Sequence, residues 1–271
     1  MRKFFPSLLC CFFSFSFIYA QQFPVPILHH EIIGDYVYVK ADELGNVFAL
    51  TSGGQLKKFN SNFDSIGVFN DVKRLGKVNH IAFGNALRTV LYFKQYRNIV
   101  VLDRLMQVVN RIDLKKHSLF QVEALGPSYD NKIWVFDEQE SKLKKLSEEG
   151  AVLFETSDLR IVFSEAISPS IVIDNGGFVY LYDPLKGLYI FDYYGGFKKK
   201  ITLLGWKDIQ PLGKNILGIG SEKVFVFTPG DVSINEIKIP LGLETAKQLT
   251  FMADGCIALY DDRIVSYKWT K

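Results

Sequence analysis

The chain repeats one pattern six times. Each copy holds an apolar strand, a turn carrying Asp, Asn or Gly, a second apolar strand, a short turn and a third, alternating strand. The first copy runs Asp42-Glu43-Leu44-Gly45-Asn46-Val47-Phe48-Ala49-Leu50, then Gly53-Gly54-Gln55-Leu56-Lys57-Lys58-Phe59. Later copies begin at Gly84-Asn85, Asp130-Asn131, Asp174-Asn175, Gly213-Lys214 and Asp254-Gly255. The third-strand anchors Phe59, Leu102, Leu146, Phe191, Phe227 and Tyr267 stand 43, 44, 45, 36 and 40 residues apart. A chain with such a period must stack like units, because one unit cannot bury its own apolar faces.

A unit of about 40–50 residues with four strands is one blade of a β-propeller. A fourth, more polar strand follows the third, as in Gln107–Ile112 and Ile234–Ile239. The sixth unit stops after three strands, at Trp269-Thr270-Lys271, while the N-terminal side has a spare strand, Ile27–Ile32. That spare strand can complete the last blade and close the ring, removing the edge an open array would expose. The fold expected is all-β: a six-bladed β-propeller over residues 21–271, closed by its N-terminal strand. The aspartates and glycines of the turns supply side-chain turn bonds and positive φ. No window shows a sustained helical period; Lys142–Leu153 comes nearest and also suits strand–turn–strand.

Asp42-x-x-Gly45-Asn46-Val47-Phe48-Ala49-Leu50 followed by Gly54-Gln55-Leu56-x-x-Phe59 resembles the repeat of NHL-type and PQQ-like six-bladed propellers. The units around Asp130, Asp174 and Asp254 match in part, and blades two and five lack the leading aspartate. The resemblance covers about 235 residues at the level of the repeat, and it implies fold more than function. A small exported propeller opening on Gln21-Gln22 is also similar to periplasmic propellers that accompany bacterial outer-membrane machines, the plug subunit of the type 9 secretion translocon among them.

Residues 1–20 read as a secretory signal: Arg2-Lys3, an apolar run from Phe4 to Tyr19, and Ala20 before Gln21. A spanning helix needs about 20 apolar residues, so cleavage after Ala20 is expected rather than a retained anchor. Only six residues separate Lys3 from Cys10, which disfavours lipidation at Cys10 or Cys11. The full chain carries 32 Lys+Arg, 29 Asp+Glu and a net charge of +3. Cleavage removes two basic residues and no acid, leaving +1, too little for a chain that wraps nucleic acid. The mature part keeps one of three cysteines, Cys256, so it has no internal disulfide. From export, near-zero charge and no disulfide, a periplasmic location in a bacterium is expected, with secretion beyond it as the alternative.

Catalytic constellations are sparse. The four histidines are His29, His30, His80 and His117. His29 and His30, as strand neighbours, should point to opposite faces and so not share a metal. His80 should begin an inner strand as a satisfied histidine, and His117 should lie in a connecting loop. Asp42, Asp130, Asp174 and Asp254 recur at equivalent places and could suggest a carboxylate ring, but turn chemistry explains the recurrence. Cys256 should be a small buried apolar residue. No nucleophile elbow, phosphate loop, zinc signature, sialidase-type box or Trp-Asp repeat is present, and no catalytic, cofactor or metal residue is assigned. The lysine pairs at 57–58, 115–116 and 144–145 fall in different blades and read as scattered, solvated charges. One stretch combines aromatic and basic side chains on a hairpin: Tyr193, Tyr194, Phe197, Lys198, Lys199 and Lys200 form a candidate partner contact.

The function expected is a non-enzymatic periplasmic scaffold or plug whose partner is a protein, with an outer-membrane complex the leading candidate. The rival is a propeller enzyme or ligand binder, lactonase-like, with a metal in the channel. The discriminating feature is whether acidic or Asn residues from three or more blades converge at the first positions of the inner strands.

Overall fold

The computed structural model describes residues 23–85, 87–231 and 233–270; the expected signal, residues 1–20, lies outside the described residues. A strand β1 (Pro26–Ile33) comes first. Blade 1 is β2 (Tyr36–Ala41), β3 (Val47–Thr51), β4 (Leu56–Phe59) and β5 (Ser65–Phe69). Blade 2 is β6 (His80–Asn85), β7 (Arg88–Phe93), β8 (Asn98–Leu102) and β9 (Val108–Asp113). Blade 3 is β10 (Val122–Pro127), β11 (Ile133–Asp137), β12 (Lys142–Leu146) and β13 (Val152–Glu155). Blade 4 is β14 (Ile171–Asn175), β15 (Phe178–Asp183), β16 (Gly187–Asp192) and β17 (Phe197–Ile201). Blade 5 is β18 (Asp208–Leu212), β19 (Asn215–Ile219), β20 (Lys223–Phe227) and β21 (Asn235–Lys238). Blade 6 takes β22 (Gln248–Met252), β23 (Gly255–Leu259) and β24 (Arg263–Trp269) from the end of the chain, and β1 from its start.

The chain is therefore an all-β, six-bladed propeller closed as the sequence predicts. β1 lies antiparallel on β24, from Pro26 opposite Trp269 to Ile33 opposite Arg263. Short helices α1 (Val72–Leu75) and α2 (Leu159–Phe163), and a single 3-10 turn at Leu114–His117, sit in connections between blades.

The apolar runs follow from packing on both faces of each sheet. In β11, Ile133 and Val135 join the core shared with blade 2, while Trp134 and Phe136 join the core shared with blade 4. In β15, Val179 and Leu181 face blade 3, and Tyr180 and Tyr182 face blade 5. Successive side chains of a strand point to opposite faces, so a strand sandwiched between two blades is apolar at every position. The last of these layers closes the ring: Val39, Val47 and Ala49 of blade 1 pack with Ile257, Leu259 and Ile264 of blade 6. The inner strands approach closely near the axis. Gly126 of β10 lies against the Val172 carbonyl of β14, where any Cβ would sit 2.2 Å from the oxygen.

Meander topology gives the ring two distinct ends. The entry face carries the connections between blades and the turns between second and third strands. The exit face carries the turns between first and second and between third and fourth strands.

Candidate functional site

The propeller axis is the natural place for a site, and six residues open the inner strands: Tyr36, His80, Val122, Ile171, Asp208 and Gln248. Asp208 is the one carboxylate among them, so no acidic or amide ring from three blades converges there. Lys40 of blade 1 reaches across to blade 5, where its Nζ donates to Asp208 Oδ1 at 3.2 Å. Both side chains are about 85% buried, with 15% and 14% of their surface exposed. Asp208 Oδ2 is buried without a protein hydrogen-bond partner.

His80, from blade 2, joins this pair. Burial, then the nearby Lys40 ammonium, depresses its pKa to about 4, while Asp208 and a backbone bond at Leu125 oppose the shift. Charges from blades 1 and 5 act on an imidazole of blade 2, which places it near the axis. His80 thus begins an inner strand as predicted and is neutral at pH 7. The Tyr38 phenol is pushed well above its ordinary value by burial and by Asp208. Amides lace the neighbouring strands: Val39 N donates to Gln248 Oε1 at 3.0 Å, and Gln210 Nε2 donates to the Phe251 carbonyl at 2.7 Å. Lys40 and Asp208 occupy the axis as a buried ion pair beside a neutral His80, with Asp208 Oδ2 left without a protein partner.

The recurring aspartates divide. Asp42 caps its own turn, accepting from Leu44 N, Asn46 N and Asn46 Nδ2 at 3.0, 2.9 and 2.8 Å. Asp174 instead ties blade 4 to blade 3, accepting from Ser128 Oγ (2.8 Å), Trp134 Nε1 (3.1 Å) and Tyr193 OH (2.6 Å). Asp130 holds Lys132 and Lys145, both at 3.0 Å. Burial alone would raise its pKa, but these lysines hold it down at about 2. The regular turn cap lies elsewhere, in the third-to-fourth-strand turns. Asn60, Asp103, Ser147 and Asp192 each accept from the backbone N–H two and four residues on. Each follows a third-strand anchor by one residue, a period already present in the sequence.

Of the candidate partner contact, Tyr193 is drawn inward. It stacks on Tyr129 at 4.8 Å, and burial and the Asp174 bond raise its phenol pKa. Together with Trp134, these two rings surround the Lys145 ammonium, 5.0–5.9 Å from each centroid. Tyr194 stands 88% exposed at the turn tip. Phe197 packs on Phe163 at 4.8 Å. Lys198 pairs with Asp192 at 2.7 Å, and Lys200 pairs with Glu165 at 2.8 Å while lying over the Tyr189 ring. Lys199 is exposed on β17. Hydrogen bonds from Lys200 and then Lys186 keep the Glu165 carboxyl at about 2.

Two expectations need correction. His29 and His30 do not point apart: a bulge between Leu28 and His30 shifts the register, and the two rings meet at 3.9 Å. A bulge places two successive residues opposite one partner, which defeats strict alternation. Lys115 and Lys116 are exposed as expected, but the pairs at 57–58 and 144–145 are not solvated charges. Lys58 is 2% exposed, donates to the Arg104 carbonyl and lies over Phe48. Burial lowers its pKa. Lys144 is buried against Asp137 at 2.7 Å.

Cys256 is fully buried, and burial pushes its thiol up to about 12. Among the described residues, no cluster of three or more His, Cys, Asp or Glu is placed to hold a metal. A cavity of about 270 Å³ lies on blade 5, lined by Leu204, Trp206, Ser221, Glu222, Lys223 and Phe225. None of its lining residues belongs to the axial cluster.

Solved structures with this fold include a selenomethionine-substituted virginiamycin B lyase from Staphylococcus aureus. It is 10% identical over 89% of this chain and 99% of its own, with a TM-score of 0.62. A streptogramin B lyase is 11% identical over 92% and 97%, at 0.60. A catalytically inactive virginiamycin B lyase from the same organism, with quinupristin, is 11% identical over 89% and 99%, at 0.63. At such identities the likeness shows the propeller fold alone. No family model matches the chain, and no curated protein does.

Proposed function

We propose that the protein is a non-enzymatic scaffold or plug of the bacterial periplasm, holding a protein partner in an outer-membrane-associated complex. The observation that carries this is the axial cluster. Propeller enzymes gather their polar groups at the axis, and here Lys40 from blade 1 fills that place and pairs with Asp208, the one carboxylate that opens an inner strand. The buried His80 beside them is neutral rather than poised near pH 7. Surface then remains as the functional element, and the outer edge of blade 4 offers Tyr194, Phe197 and Lys199 as a contact. The sequence resemblance to plug-type periplasmic propellers, and to NHL-type repeats more broadly, is part of the same proposal.

The rival, a metal held in the channel, would take several convergent carboxylates or amides, and the inner strands open on two, Asp208 and Gln248. The test is a mild-detergent affinity isolation of the C-terminally tagged chain from its own cells. A stoichiometric outer-membrane or periplasmic partner, lost on Tyr194→Ala/Lys199→Glu, is the result expected. Recovery of the chain alone, together with a Ca²⁺-dependent rise in melting temperature, would overturn the scaffold reading.

A further inference from the structure

Strict alternation would keep His29 and His30 from sharing a ligand, and β1 does not alternate there. The bulge between Leu28 and His30 brings both imidazoles to one place, with ring centres 3.9 Å apart and an angle of 65° between their planes. Among the described residues, neither ring has a hydrogen-bond partner. His29 Nδ1 is moreover shut off from solvent, the one buried side-chain nitrogen left unpaired among those residues. A lone pair so placed is costly unless something takes it up.

The surroundings suit a small cation with room for solvent. Both histidines are half-buried. Phe63, from the β4–β5 turn of blade 1, lies 6.2 Å from the His30 ring, so the pair sits at the seam between blades 6 and 1. Burial, then His30 and Lys268, lowers the His29 pKa, while Asp254 opposes the shift. His29 is therefore neutral at pH 7, the form in which imidazole ligates. The Asp254 side chain is exposed and makes no hydrogen bond or ion pair, which leaves it as a counter-charge, whereas Glu31 lies 3.9 Å from Arg263. Geometry narrows the ion. Two imidazoles on one metal at about 2.0–2.1 Å stand about 4.5 Å apart, centre to centre, at a right angle and about 5 Å apart at the tetrahedral angle. The observed pair needs to part by about half an ångström for the first and about twice that for the second. Right-angled ligands belong to tetragonal ions such as Cu²⁺ and Ni²⁺, and Cu²⁺ binds nitrogen donors most tightly of its row.

We propose that His29 and His30, set side by side by the bulge in β1, bind one tetragonal transition-metal ion of the Cu²⁺ class as neighbouring ligands. Two side chains fall short of the closed ligand set of a structural centre, so water fills the remaining positions. The site lies on the outer strand of blade 6, apart from the axis and from the blade 4 edge. The inference therefore goes beyond the scaffold reading and does not depend on it. Because β1 is the strand that closes the ring, an ion held by its folded form favours closure.

The experiment is calorimetric titration of Cu²⁺ into the mature chain at pH 7, without a histidine tag, followed by electron paramagnetic resonance of the complex. One ion per chain, with hyperfine splitting from two imidazole nitrogens, is expected. His29→Gln and His30→Gln should each weaken binding by more than about tenfold, since loss of even a partner outside the ligand set costs about 10–100-fold. His117→Gln should leave it unchanged, and melting temperatures without metal show that each variant folds. The urea-unfolded chain keeps both histidines but not the bulge, so it should bind more weakly. Cu²⁺ at a hundred times its Kd should then raise the parent Tm by up to about 5–10 °C. Absence of Cu²⁺ binding, a spectrum without paired imidazoles, or parent-like affinity in His29→Gln or His30→Gln overturns the proposal. Equal affinity in the unfolded chain overturns it too, because the fold would then not build the site.

Discussion

Replacing Asp137 should expose how much of this fold rests on one buried charge pair. Lys144 Nζ lies 2.7 Å from Asp137 Oδ2, and the two side chains are only 5% and 2% exposed. Asp137 Oδ1 also accepts from Gln139 N at 3.1 Å, so the residue serves the turn after β11 as well. Asp137→Ala would leave the ammonium buried, with the half-exposed Glu140 at 3.1 Å as its nearest remaining carboxylate. Removing one member of a buried pair costs about 3–5 kcal/mol. Because Glu140 persists, the low end, about 3 kcal/mol, is expected, or about 6–12 °C in Tm for a chain of this size. Lys144→Met should cost a similar amount, by leaving the carboxylate unpaired. Asp137→Leu/Lys144→Met should fall close to the parent, since an apolar pair of similar volume avoids both desolvation penalties. Urea unfolding of the four proteins, followed by circular dichroism at neutral pH, gives their stabilities directly. A parent-like Asp137→Ala, or a double variant weaker than both singles, would refute the reasoning. The pair has a pH signature as well. Burial would lower the Lys144 pKa, but bonds to Asp137 and Glu140 outweigh it and raise the value above 10.5. That contribution is present below 10.5 and lost as pH rises through the folded value, so the parent should weaken in strong alkali more than Lys144→Met does.

Other outcomes follow from the same geometry. His80 has a folded pKa of about 4 against 6.5 unfolded, so its contribution is complete above pH 6.5 and is lost as pH falls towards 4; His80→Gln should flatten the stability profile there, and an unchanged slope would contradict the axial placement. Cys256 should resist a thiol reagent at pH 8 in the native protein and react at once in denaturant, because its buried thiol is raised to about 12; rapid native labelling would show the blade 6 core to be open. Deleting residues 21–33 after the signal should strip the outer strand from β24 and lower the melting temperature; a truncated chain that melts like the mature one would disprove closure by β1.

The architecture was legible because it depends on a period and an alternation, both local properties of the chain. The spacing of Phe59, Leu102, Leu146 and Phe191 counts blades, and the missing fourth strand after Tyr267 calls for β1. The axial cluster was only half legible. His80 announces an inner strand, but Lys40 and Asp208 lie 168 residues apart and meet only because blades 1 and 5 face one axis. The turn caps were sought at Asp42, Asp130, Asp174 and Asp254, and Asp42 does cap its turn; the regular caps include Asn60 and Ser147, whose shared role is hidden by their different side chains. The inward course of Lys58, Lys144 and Lys145 was illegible for a related reason. Alternation in a two-sided blade hides a long cationic side chain wherever a carboxylate, carbonyl or ring lies across the sheet. The bulge at Leu28/His30 likewise leaves no mark in a sequence of one strand.

The claim that function resides on the surface rather than in the channel is tested most directly by comparing two variants in the native cells. Lys40→Met/Asp208→Asn empties the axis of its charge pair, and Tyr194→Ala/Lys199→Glu alters the blade 4 edge. The mass of the tagged complex isolated in mild detergent is measured for each, after melting curves show that both fold. A surface function requires the axial variant to keep the parent complex and the edge variant to lose it. An axial variant that loses the complex or the cellular function, beside an edge variant that keeps both, would place the activity in the channel and contradict the scaffold.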